Sequence, residues 1–337
     1  MDVFMVGGTG LLGAAAASEL LAMGHGVRSV ALPPLPPDTL LPRGMALTLG
    51  NILDLSDDDL LGLMAGCGGF VFAAGVDERI EGPPPIYDLF HRHNIAPLGR
   101  LLALARQAGI RKAAILGSYF AHFDRAWPDL QLAATHPYIR SRVDQERLAL
   151  SFADPDLSVA VLEIPYVFGT QPGRKPVWTF LVEQVRAMGP VTFYPDGGTA
   201  MMTVRQVGQA TAGALLRTEG GRAWPLGWEN RTWREMLRSF HRAMGCPGRP
   251  ILTIPKPVYR LALGRVARER SERGIEPGLD LRALADLMGR KAYIDRALGA
   301  APLGVTDDDL EAAIGDSVRL SLAWLSGKAD LVEMTVG

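Results

Sequence analysis

The sequence predicts an α/β fold: a doubly wound parallel sheet with helices on both faces, followed by a smaller C-terminal lobe. Three observations carry this. Short apolar runs alternate with helical stretches through the first half of the chain. A cluster of glycines joins the first apolar run to the first helical one. After Gly169 the alternation gives way to a loop rich in Gly and Pro. Strands that alternate with helices build a parallel sheet covered on both sides.

The elements follow in order. Val3 to Val6 is a short apolar strand. Leu11 to Met23 has helical spacing, with Leu12, Ala15, Ala16 and Leu20 on one face. Gly24 and Gly26 suit its end. Val27 to Leu32 is a second strand, and the proline-rich segment 32–42 is a stiff surface loop. Gly69 to Gly75 is a buried strand. Residues 94–109 form a helix stopped at Gly109, 112–118 a strand and 136–153 a helix. Ser158 to Gly169 is a strand that runs into a loop. Beyond it, 177–188 and 203–218 are helical, and two more helical stretches come late in the chain. This divides the chain into a sheet domain, 1–168, and a lobe, 169–337, with about 201–218 packing back on the sheet domain.

Composition bounds the function. The chain has 337 residues, 48% hydrophobic and 21% charged, which suits a globular protein with a large core. A net charge of −1 argues against general nucleic-acid binding. Cys67 and Cys246 lie far apart with no CxxC spacing, so neither a disulfide framework nor a cysteine zinc site is expected. His91, His93 and His122 are too loosely spaced for a metal site, and none is expected. "LSDDDLL" and "TDDDLE" are read as helix N-caps rather than cation sites. No apolar run is long enough to span a membrane, and Asp2 stands where a signal peptide would be basic. The default compartment is the cytoplasm.

The glycine cluster, "VGGTGLLG" from Val6 to Gly13, carries the first chemistry. Gly7 lets the chain turn tightly. Gly10 lets backbone approach a phosphate. Gly13 lets the helix pack close to the sheet. The helix N-terminus then offers free N–H groups and positive partial charge. The segment is therefore a candidate pyrophosphate cradle of a Rossmann-type domain, formed by Gly7, Gly8, Thr9, Gly10, Leu11, Leu12 and Gly13.

The chain resembles the extended branch of the short-chain dehydrogenase/reductase superfamily, the NAD-dependent epimerase/dehydratase family, as a divergent member. The glycine loop is similar to TGxxGxxG, with Val6 for Thr. "GNILD" resembles the GDxxD segment beside adenine and "FAAG" the HxAA strand end. "HNIAPLGRLLALARQAGIRKAAILGS" resembles NVxGTxNLLxAAxxxGVxRxVxxSS, "PYIRSRVDQER" resembles PYxxSKxxxE and "LEIPYVFGT" resembles LRPxxVYGP. The C-terminal "YIDRALGAAPLGVTDDDLEAAIGDSV" resembles the branch's LGxxPxxxLxxGL segment. The resemblance implies a substrate-binding C-terminal lobe, and further cofactor contacts at Asn51, Ile52, Ala73, Ala74, Gly75, Asn94, Tyr138, Arg142, Pro165 and Val167. It also implies a homodimer.

The cofactor expected is NAD(P), with a slight preference for NADP. An acid about 20 positions past the last motif glycine normally receives the ribose 2′-hydroxyl. Leu32 and Pro33 stand there instead. Arg28 and Arg43 are candidates for a 2′-phosphate, or for the surface.

The family's chemistry needs a tyrosine that moves a proton at the substrate hydroxyl. A phenol has a pKa of about 10, and a cation one helical turn away helps lower it. Tyr138 and Arg142 have that spacing, with Arg where the family has Lys. The hydroxyl that polarises the substrate falls to Ser118 or Tyr119. Glu163 stands where the family has Arg, and Arg205 and Gln206 replace an acidic pair; these are structural positions. Arg174 and Lys175, in the loop that shapes the family's substrate pocket, can meet a phosphate or carboxylate or stand in solvent. The basic stretch from Lys256 to Gly274 is read as a solvated helix, or as a contact for an anionic substrate or membrane surface.

The reading is an NAD(P)-dependent oxidoreductase or epimerase. Its substrate is a small hydroxyl or carbonyl compound: a nucleotide sugar, a sterol-like alcohol or an aldehyde. Hydride moves between substrate and nicotinamide, with Tyr138 as acid/base. The alternative is a dinucleotide-binding sensor or scaffold without chemistry.

Overall fold

A computed structural model describes residues 1–37 and 40–333. Seven parallel strands form the central sheet. They are β1 (Asp2–Val6), β2 (Gly26–Ala31), β3 (Ala46–Leu49), β4 (Cys67–Phe72), β5 (Lys112–Leu116), β6 (Ser158–Glu163) and β7 (Gly221–Pro225). Their order is β7-β6-β5-β4-β1-β2-β3, so the direction of winding reverses between β1 and β4. In a doubly wound sheet the crevice beyond the strand ends at that reversal is the natural ligand site.

The first strand shows why both faces are covered. Val3 and Met5 enter one core with Ala16 and Leu20 of α1 (Leu11–Ala22). Phe4 and Val6, on the alternate face, enter a second core with Leu60, Leu98 and Leu101. These three belong to α2 (Asp57–Met64) and α3 (Ala96–Gln107). Each such side chain contributes about 1.5–3 kcal/mol when fully buried. A further helix, α4 (Pro137–Leu150), lies on the α3 side and buries Ala149 in the second core. The expected N-caps are present: Ser56 and Asp59 form a capping box at α2, and Asp309 caps the helix Leu310–Leu325.

Register sets the crevice. Val6 pairs with Val30 on one side and Phe72 on the other. The three chains therefore come level at the ends of β1, β2 and β4, with Gly7, Ala31 and Ala73 side by side.

Two elements differ from the sequence reading. The segment 158–169 is not one strand running into a loop. β6 ends at Glu163, and after Pro165 the residues Tyr166–Phe168 pair with Gly198–Thr203 in a second, small sheet. Proline has no N–H for the first ladder, and the chain changes sheets there. Ahead of α3, His91–Ile95 form a π-helical turn, so the helical region starts before Asn94.

The small sheet also contains Glu229–Thr232 and Lys291–Ala292. Helices Thr179–Ala187, Trp233–Ala243 and Leu310–Leu325 pack against it through Val182, Met236, Phe240 and Ile314. The later half of the chain also returns to the large sheet. It supplies β7 and the helix α5 (Val204–Arg217), which joins the first core through Val207 and Ala210. α5 opens on a capping box of Thr203 and Gln206, which accounts for the amide at a position where an acid was expected. The basic helix Lys256–Glu272 has no fully buried residue. No helix among the described residues is long and apolar enough to cross a membrane.

Candidate active site

The cleft lies over the ends of β1, β2, β4 and β5, between the large sheet and the small lobe. Its outer half is lined by Gly7, Thr9, Gly10, Leu32, Asn51, Ile52 and Leu53. Its inner half is lined by Leu11, Leu12, Ser118, Tyr119, Tyr138, Arg142, Pro165 and Val167. Ala73, Ala74 and Gly75 face both halves.

Each glycine of the loop has a steric reason. Gly7 adopts φ +87°, a region L side chains avoid, and a Cβ there would sit 2.7 Å from the Ala73 carbonyl oxygen. At Gly13 a Cβ would lie 2.1 Å from the Gly7 oxygen, so only glycine lets α1 start so close to the loop. Gly10 is different: a Cβ would meet only the Gly7 oxygen, at 3.3 Å, and otherwise open cleft. Beyond it the first amides of α1 have no preceding carbonyl to bond. This donor set suits a diphosphate. Gly8 and Gly13 do not line the cleft; the Gly8 N–H donates to Ser29 Oγ at 3.0 Å and fixes the loop.

Other expected contacts divide the same way. Asn51 faces the outer half, and its Oδ1 accepts from the Leu53 N–H. Asn94 does not reach the cleft. Its Oδ1 accepts from the Val76 N–H at 2.8 Å and its Nδ2 donates to the Val76 carbonyl, so both polar atoms brace the corner after β4. The π-helical turn is what turns Asn94 inward. Neither 2′-phosphate candidate lines the cleft. Arg28 pairs with Asp2 and donates to the Ala65 carbonyl, at the opposite end of β2, and Arg43 is exposed.

Tyr138 and Arg142 stand one turn apart on α4, both buried. Arg142 Nε donates to the Tyr138 hydroxyl at 3.1 Å. Its Nη1 donates to Gln145 Oε1 and its Nη2 to the Val76 carbonyl, so the fork is fully held. The sequence reading expects Arg142 to bring the phenol down toward neutral. Burial outweighs it: the Tyr138 pKa is raised, with desolvation as the larger cause and Arg142 pulling the other way. The hydroxyl is therefore a phenol at neutral pH, equipped to donate a proton.

Ser118 and Tyr119 both face the inner half. The Tyr119 hydroxyl is bonded to Thr199 Oγ1 at 2.9 Å, and burial raises its pKa. Ser118 Oγ has only a long contact, 3.4 Å, with the Phe120 N–H. Ser118 is thus the freer hydroxyl of the two.

Glu163 is fully buried behind the site. Arg125 bridges it to Glu146, with contacts of 2.6 and 2.5 Å. The cation absent from position 163 is supplied by Arg125 instead. Burial, and then the neighbouring Glu146, push the Glu163 carboxyl up to about 8 despite Arg125. A carboxyl raised in the fold stabilises it below the unfolded value, and that contribution is lost as pH rises toward the folded one. Glu163→Gln, a neutral isostere, should therefore melt with wild type at about pH 4 and above it at about pH 9. Parallel melting curves at both pH values would rule this out.

The sequence did not single out two groups, Glu78 and Tyr166, and left a third, Arg174, open between an anion contact and solvent. Glu78 faces the inner half beside Asp77 and Arg142, and burial raises its pKa. Tyr166 packs on Tyr119, Trp178 and Trp233, with ring centroids 6.2, 4.9 and 5.4 Å away. It walls the deeper end, where Trp233, Leu279, Leu284, Leu287 and Met288 converge. Arg174 is buried against the glycine loop rather than solvated. The change of sheet at Pro165 brings Tyr166 there, and the segment that follows β4 brings Glu78.

Comparison with known proteins places this geometry. A model of the NAD-dependent epimerase/dehydratase family matches residues 3–205. A protein of Synechocystis sp. with the provisional name dihydroflavonol 4-reductase is 23% identical over 336 residues, covering 94% of this chain and 93% of its own length. The crystal structure of gox2253 superimposes with a TM-score of 0.74 at 19% identity, covering 98% of this chain and 99% of that one. UDP-glucose-4-epimerase from Stenotrophomonas maltophila, with bound NAD and formylated UDP-arabinopyranose, gives 0.67 at 16%, covering 97% and 99%. At these identities the structural likenesses show the fold.

Proposed function

The chain belongs to the NAD-dependent epimerase/dehydratase family, and from that premise we propose that it is an NAD(P)-dependent oxidoreductase acting on a small hydroxyl or carbonyl compound. The observation that carries the reading is the Tyr138–Arg142 pair, 3.1 Å apart, in the same cleft as the glycine loop. The bound nicotinamide supplies or accepts the hydride. The residues do the rest. Gly10 and the first turn of α1 hold the diphosphate, and Asn51 and Ile52 border the adenosine. Tyr138 donates a proton to the carbonyl oxygen, or takes it from the alcohol. Arg142 orients the phenol, and Ser118 polarises the same oxygen. A protonated Tyr138 is the form that reduction of a carbonyl requires. The missing acid after β2 supports the preference for NADP.

Among the three substrate classes, the deeper pocket supports an uncharged, apolar ring compound such as a sterol-like alcohol or its ketone. Among the described residues lining it, Arg79 is the one cation. That guanidinium is taken up by Asp77 and by the Val177 carbonyl, over the Phe180 ring. Two carboxylates, Glu78 and Glu81, stand beside it. Glu81 is itself paired with Arg270, and a nucleotide diphosphate would find no free cation in this lining to offset its charge. The apolar lining suits a ring substrate with one oxygen directed at Tyr138.

The test is loss of NADPH in the presence of cyclohexanone, 2-decalone and an aryl ketone, beside UDP-glucose as the nucleotide-sugar probe. Turnover of a ring ketone supports the reading. Turnover of UDP-glucose alone contradicts the substrate class. Dinucleotide binding with no turnover of any of them favours the sensor alternative.

A further inference from the structure

The dinucleotide reading leaves one buried cation unexplained. Arg174 lies in the loop after Tyr166–Phe168. It is only 5% exposed and lines the outer half together with Gly7, Thr9 and Gly10. Its Nη2 donates to the Thr9 carbonyl at 2.9 Å. Its Nε is buried with no partner, and among the described residues no carboxylate pairs with it. Burial lowers its pKa, and among the described residues no acid offsets the charge. An unpaired buried guanidinium is costly unless an anion completes it.

The surroundings hold it in place. Gln171 Nε2 donates to the same Thr9 carbonyl at 2.8 Å, and Gln171 Oε1 is likewise buried without a partner. The loop is pinned from behind: the Lys175 N–H donates to the Val332 carbonyl, and the Val332 N–H to the Gly173 carbonyl. The neighbouring Lys175 turns away to Glu333 at 2.8 Å. A planar fork with one edge fixed on the glycine loop and its Nε unused matches the geometry of a phosphate.

We propose that Arg174 is a phosphate ligand of the bound dinucleotide, reaching the glycine loop from the second lobe. This rests on the dinucleotide reading and adds a residue to it. It also supplies the cation that neither Arg28 nor Arg43 can. Two phosphates share this chemistry at the outer half: the pyrophosphate, common to both cofactors, and the 2′-phosphate of NADP alone.

Arg174→Gln, Lys175→Gln and wild type are titrated with NADPH and with NADH by fluorescence, and their melting points are measured with and without each. Wild type binds, and Lys175→Gln matches it. Arg174→Gln weakens binding by about 10- to 100-fold, the range for a charge-assisted hydrogen bond. An equal loss for both cofactors assigns the pyrophosphate, and a loss confined to NADPH assigns the 2′-phosphate. Without ligand Arg174→Gln melts no lower than wild type, because it removes an unpaired buried charge. A merely structural arginine would lower that melting point. Arg174→Lys, which keeps charge but not the fork, falls between, and serves if the Gln variant does not fold. Unchanged affinities in a folded Arg174 variant overturn the proposal while leaving the dinucleotide reading intact. Wild type that binds neither cofactor overturns both.

Discussion

Tyr138→Phe lowers turnover by about 10²- to 10⁴-fold, the usual contribution of a positioned proton donor, while fold and dinucleotide affinity survive. The change removes one oxygen. That oxygen accepts from Arg142 Nε and, among the described residues, has no other partner. The ring stays packed against Phe90 and Phe120, with centroids 5.6 and 6.4 Å away, and Arg142 keeps its bonds to Gln145 and Val76. A lost hydrogen bond of this kind costs on the order of 1 kcal/mol of stability. The companion variant is Arg142→Lys. An ammonium can replace the bond to the phenol but not the whole fork, so activity persists with a shifted pH profile. Full activity in Tyr138→Phe would move the proton donor elsewhere, with Tyr119 next in line.

Gly10→Leu abolishes NAD(P)H binding in a protein that still folds. Gly10 is the informative position among the loop glycines. At Gly7 or Gly13 a side chain collides with backbone, at 2.7 and 2.1 Å, so loss of binding there would be inseparable from loss of structure. At Gly10 the added Cβ meets one carbonyl oxygen at 3.3 Å and then extends into the cleft. It occupies the space a diphosphate needs against the start of α1. Melting temperature checks the fold, and fluorescence titration checks binding. Wild-type affinity in folded Gly10→Leu would remove the diphosphate from this loop.

The parts of this site that were legible in the sequence are local. The strand–glycine–helix order places Gly7 to Gly13 without tertiary information, and a four-residue spacing on one helix puts Tyr138 beside Arg142. What was not legible depends on distant chain. The Tyr138 pKa follows its spacing from Arg142 less than its burial, which Phe90 and Phe120 help decide. Glu163 in place of an arginine reads as a structural position, and only the fold shows Arg125 between it and Glu146. Arg174 reads as an anion contact or a solvated cation, with nothing local to decide between them. Its contact with Thr9 spans 165 positions and depends on the change of sheet at Pro165. Asn94 matched its motif, yet a π-helical turn commits both its polar atoms to Val76 rather than to the cleft.

On this reading the cleft carries hydride transfer with Tyr138 as the proton donor. The most direct test is reduction of an apolar ring ketone with NADPH, and separately NADH, deuterated at nicotinamide C4. The account predicts deuterium on the carbinol carbon of the product, transferred from one face of the nicotinamide, with the rate collapsing in Tyr138→Phe. Deuterium that appears only in solvent, or transfer at an undiminished rate in Tyr138→Phe, would contradict it.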